Sequence, residues 1–78
     1  MTDQVYVLCE LVDLCAEEFL SVHTSIRSAM LGAPSETVWS WSNTEVAWIG
    51  QKTTQKLDGV RIENYVIRGC KVEDHVNV

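Results

Sequence analysis

The sequence predicts an α+β fold: one long N-terminal amphipathic helix packed on a small antiparallel sheet of three or four strands (α-β-β-β). Residues 4 to 31 contain no glycine or proline, so nothing there breaks a helix. Within that stretch Val5, Leu8, Val12, Cys15, Phe19, Val22, Ile26 and Ala29 follow one another at spacings of three and four, the repeat of a helix face. After residue 36 the pattern switches to period two, the repeat of a half-buried strand.

The helix is expected over residues 3 to 31. Thr2 or Asp3 supplies the N-cap, and the acids that follow suit the positive end of the helix dipole. Gly32 and Pro34 form the stop signal. Val5-Tyr6-Val7-Leu8 is the one stretch whose strand propensity competes with this reading.

Thr37-Val38-Trp39-Ser40-Trp41 and Glu45-Val46-Ala47-Trp48-Ile49 alternate on either side of Ser42-Asn43-Thr44, which is turn chemistry, and read as a hairpin. Gly50 marks its end or a bulge, and the polar residues 51 to 56 fit either a loop or an exposed strand. Asp58-Gly59 is a strong turn signal. A third strand follows through Val60, Ile62, Tyr65 and Ile67. Its apolar phase slips between Ile62 and Tyr65, which predicts a bulge near Asn64, and Gly69 ends it. Cys70-Lys71-Val72 and Val76-Asn77-Val78 are expected as an edge strand or a ragged tail.

Seventy-eight residues make a single domain, 1–78. Charges interrupt the N-terminal apolar run, so neither a secretory signal nor a membrane span is expected, and the cytoplasm is the expected compartment. Cys9, Cys15 and Cys70 are an odd set, read as reduced thiols. With His23 and His75 they show no ligand spacing, so neither metal nor cofactor is expected. Catalysis is not expected either. Cys70 and His75, the one nucleophile–base pair close in sequence, point to opposite faces of a strand, and no glycine-rich phosphate loop occurs.

The net charge of −5 argues against direct nucleic-acid binding. Residues 1 to 26 carry Asp3, Glu10, Asp13, Glu17 and Glu18 and no base. On a helical wheel most of these acids share a sector with Tyr6, Val7 and Leu14. The expected partner-binding face is therefore Tyr6, Val7, Glu10, Asp13, Leu14 and Glu17, gripping a protein with a basic surface. The function expected is a non-catalytic adaptor or stoichiometric inhibitor. By class analogy it would occlude a nucleic-acid-binding surface, as phage-type anti-restriction and anti-CRISPR proteins can. The alternative ligand platform is Trp39, Trp41 and Trp48, flanked by Lys52, Lys56, Arg61 and Arg68, for a small ligand or a single strand. The bland reading of those tryptophans is a core layer beneath the helix. Apolar residues on both faces of the helix and of the third strand predict a homodimer, whether as part of that function or as a purely structural oligomer.

Overall fold

The computed structural model describes residues 2–12 and 16–73. The elements are β1 (Thr2–Leu11), β2 (Glu17–His23), α1 (Ile26–Gly32), β3 (Val38–Ser42), β4 (Ala47–Lys56) and β5 (Gly59–Glu73). The strands form one antiparallel sheet in the order β2-β1-β5-β4-β3. The fold is therefore predominantly β, and the expected α+β architecture with its long helix is overturned.

The described residues between 3 and 31 form two paired strands and only one short helix. The cause lies in the density of apolar residues. In β1 both parities are apolar: Val5, Val7, Cys9 and Leu11 face one way, Tyr6 and Leu8 the other. A run filled on both parities always contains a subset at three-four spacing, so the helical template fits without a helix. β-Branched and aromatic residues (Val5, Tyr6, Val7, Phe19, Val22) then favour the extended chain. Residue 20 is an extra residue in β2, since Leu8 pairs with Ser21 and Cys9 with Phe19. This is the irregularity that the unbroken helical count conceals.

The helix that does form begins at Ser25, whose hydroxyl accepts the Ser28 N–H at 3.1 Å. It ends at Gly32, where the stop signal stands, with the Ala33 N–H returning to the Met30 carbonyl at 3.2 Å. The connection through α1 carries the chain from edge strand β2 to the opposite edge strand β3, so the helix lies across one face of the sheet. It packs on β1, β2 and β5. The core beneath it is Leu8, Ala29, Ala33, Tyr65 and Ile67, with Tyr6, Met30, Trp39 and Trp48 around the rim.

The later elements follow the sequence more closely. β3 and β4 form the expected hairpin, joined by residues 43–46, with Trp41 directly opposite Trp48. The polar residues 51 to 56 are strand, and the chain reverses through Leu57 and Asp58 between the paired Lys56 and Gly59. Gly59 has φ 145°, a conformation that favours glycine. β5 is unbroken for 15 residues and runs through Gly69. Its register with both neighbours is regular, so no bulge stands at Asn64. The apolar phase slips there because Val60, Ile62 and Val66 face one side of the sheet, whereas Tyr65 and Ile67 face the helix.

β5 also sets the shape. Fifteen residues of strand span about 50 Å, and the described chain measures 58 × 25 × 22 Å. β4 pairs with residues 59–67 of β5, and β1 with residues 64–73. Residues 52–63 therefore leave the body of the sheet as a two-stranded ribbon, with β3 and β1 both ending at its root. Among the described residues no helix is long and apolar enough to cross a membrane.

Candidate docking surface

The sheet has a covered face and an uncovered one. No described helix or strand packs on the side opposite α1. Alternation places Val5, Val7, Cys9 and Leu11 of β1 there, with Phe19 and Val22 of β2 beside them. Val38 of β3, Ile49 of β4 and Val60, Ile62 and Val66 of β5 complete it. Val66 is buried between its register partners Cys9 and Ile49. The outer members are open: Phe19 is 61% exposed and Val38 73%. Val60 and Ile62 carry the same apolar row onto the ribbon, where they are 56% and 54% exposed. Isolated apolar side chains on a surface are ordinary, whereas a connected row of them along one sheet face is a candidate for docking.

The charge on this face is concentrated in one trio. Arg68 bonds Glu17 from β2 and reaches Glu45 of the β3–β4 turn at 3.4 Å. The hydrogen bond that Arg68 donates to Glu17 raises the Arg68 pKa further, so the guanidinium stays charged at any relevant pH. The trio borders a cavity of about 620 Å³, with Leu11, Ile49 and Val66 on its apolar wall. Solvent-exposed pairs of this kind contribute about 0–1 kcal/mol to stability. Their effect here is to tie the edge strand and a turn across the centre of the face. Burial pushes the Cys9 thiol up, reinforced by Glu17, which disfavours its thiolate.

The ribbon's other side is ionic. Lys52, Lys56, Arg61 and Glu63 share it, with Arg61 Nε 3.2 Å from Glu63. At its root Tyr65 donates to Glu63 at 2.7 Å.

The residues expected to form the binding face are not united by this fold, because the helix that would have aligned them does not form. Tyr6 and Glu10 lie on the covered side of β1, whereas Val7 and Glu17 lie on the uncovered side. Asp13 and Leu14 lie outside the described residues, as do Cys15 and His75. The tryptophans do share a face, the one that carries α1. Trp39 and Trp48 flank the core. Trp41 is 48% exposed, donates its indole N–H to Asn43 Oδ1 at 2.8 Å, and meets Trp48 edge-to-face at 5.6 Å. Tyr6, Trp41 and Trp48 line a cleft of about 220 Å³. Arg68 points to the opposite face, so it takes no part in a basic patch beside them.

Two features escaped the sequence pattern. One is the uncovered face itself, whose signal was the phase slip between Ile62 and Tyr65. The other is His23, bridged by Ser21 at 2.6 Å and Ser28 at 2.8 Å. In a hydrolase a carboxylate holds the histidine and stabilises its protonated form. Here a neutral hydroxyl stands in that place, and the bridge fastens α1 to β2. Among the described residues no three His, Cys, Asp or Glu side chains converge as metal ligands would. Comparison with protein-family models, with curated proteins and with solved structures finds no match.

Proposed function

We propose that this protein is a non-catalytic binding module that covers a surface of another protein with the uncovered face of its sheet. The observation that carries this reading is the apolar row from Phe19 to Val60, connected across the strands and continued onto a ribbon against which no other described helix or strand packs. A side chain such as Ile62 adds nothing while it stays in water and contributes roughly 1.5–3 kcal/mol when fully covered. The partner's surface is apolar at its centre. Cations at its rim would be drawn by the net charge of −5, which steers encounter more than it sets affinity. Occlusion of whatever that partner surface ordinarily binds follows without chemistry, which keeps stoichiometric inhibition as the mode of action.

A second reading rests on the cleft between Tyr6, Trp41 and Trp48, whose aromatic walls suit a small planar ligand. The two readings separate in one experiment. Tagged wild-type protein, Ile62→Lys and Trp41→Ala are used to capture partners from native lysate. A partner retained by Trp41→Ala and lost by Ile62→Lys supports the sheet face. The reverse pattern rejects it in favour of the cleft.

A further inference from the structure

Strand edges left without a neighbour are pairing sites unless something blocks them, and charged side chains are the usual block. The described residues contain six such free stretches. β2 has Glu17 and Glu18, and residues 2–5 of β1 have Asp3. The β4 side of the ribbon has Lys52 and Lys56, and its β5 side has Arg61 and Glu63. The last stretch of β5 has Arg68, Lys71 and Glu73. The sixth is β3, Val38-Trp39-Ser40-Trp41-Ser42, which has no charge and no proline. Trp39 leans onto the core around α1, but among the described residues β3 pairs with no strand except β4, so its outer backbone edge is unpaired.

The sequence of β3 is also compatible with itself. Antiparallel pairing of two copies about a two-fold axis at Ser40 sets Val38 against Ser42 and Trp39 against Trp41, each twice. It places no like charges opposite one another, in the strand or at the flanking Glu36 and Glu45, which would meet Thr44 and Ser35. Aromatic residues directly across a strand pair are favourable partners. The same operation at the β4 side of the ribbon, about Thr54, would oppose Lys52 to Lys56 and repel. We infer that a second copy of this chain adds to the free edge of β3 in that register, joining two sheets into one continuous sheet. A two-fold axis perpendicular to the sheet keeps like faces together, so both helices lie on one side and both uncovered faces on the other. The inference stands on the edge alone and holds whatever the uncovered face binds.

The test is a charge exchange at Ser40, an exposed residue on the axis. Sedimentation equilibrium of the full chain measures mass for wild type, Ser40→Thr, Ser40→Lys, Ser40→Glu and an equimolar mixture of the two charged variants. The expected result is twice the chain mass for wild type and Ser40→Thr. Each charged variant alone should fall to the single-chain mass, and the mixture should return to twice that mass. Three outcomes overturn the inference. One is a wild type that stays monomeric at its highest soluble concentration, which also covers an edge kept for a partner's peptide. Another is a dimer that both charged variants retain, which would place the interface elsewhere. The third is a mixture that fails to re-form the dimer. A monomeric wild type that still captures its partner through Ile62 leaves the proposed function standing.

Discussion

Tyr65 donates its phenolic hydrogen to Glu63, two residues earlier on the same strand, at 2.7 Å. Burial, then this bond, pushes the Tyr65 pKa up to about 12. The same bond, helped by Arg61, holds the Glu63 carboxyl below its ordinary range. The two shifts act at opposite ends of the pH scale. A phenol raised in the folded state adds stability in full below its ordinary value near 10 and loses it as pH climbs toward 12. A depressed carboxylate adds stability above its ordinary value and loses it as pH falls through the folded one. Tyr65→Phe should cost about 1 kcal/mol at neutral pH and flatten the decline between pH 10 and 12. Urea denaturation of both proteins across that range checks this. An alkaline decline unchanged by the substitution would count against the bond.

Leu8 is fully buried at the centre of the sheet, and Leu57 stands at the ribbon tip, fully exposed. Leu8→Ala should destabilise by about 2–5 kcal/mol through lost burial and the cavity left behind. Leu57→Ala should change stability by no more than about 0.5 kcal/mol. Denaturation midpoints measure both, and equal losses would misplace the core.

Two glycines should respond to alanine for different reasons. Gly50 lies opposite Trp39, and a Cβ there would come within 2.7 Å of both the Thr37 methyl and the Trp39 ring. Crowding at that point should cost about 1–3 kcal/mol and shift the near-ultraviolet circular dichroism of the indoles. At Gly59 a Cβ meets nothing, and the cost comes from φ 145° alone. Gly59→Ala should lose about 1–3 kcal/mol with the indole signal unchanged.

Ser25→Ala removes the hydroxyl that accepts the Ser28 N–H. It should cost about 1 kcal/mol, and Ser25→Gly only a few tenths. Faster amide exchange confined to the first turn of α1 is the accompanying signature. An unchanged stability in Ser25→Ala would mean that the side-chain cap contributes nothing.

Legibility in the sequence followed local chemistry. Asp58-Gly59 announced its turn because the backbone there needs a glycine, and Trp41 and Trp48 fell opposite because a short hairpin fixes its own register. Gly32 and Pro34 stopped a helix that was far shorter than the pattern before it suggested. The β1–β2 hairpin was illegible for two physical reasons. A central strand is apolar on both parities, which imitates a helix stripe, and no glycine or proline punctuates residues 12 to 16. The binding face inherited that error, since a helix wheel and a pleated strand sort Tyr6, Val7, Glu10 and Glu17 differently. The uncovered face required the sheet order, which places β5 between β1 and β4, and no single segment reports that order.

Strand β1 finds its main partner in β5, with paired residues from Leu11 and Asn64 to Thr2 and Glu73 lying more than fifty positions apart in the chain. During synthesis β2 follows close behind and can pair one side of β1, and the β3–β4 hairpin is made next, so the other side of the first strand stays open until β5 exists. Closure of the sheet's centre therefore waits until residue 73 has been made, and such distant pairing is slow, on the order of milliseconds to seconds. Through that interval the unpaired edge of β1 is exposed, and the risk of misassociation is greatest before the last strand arrives.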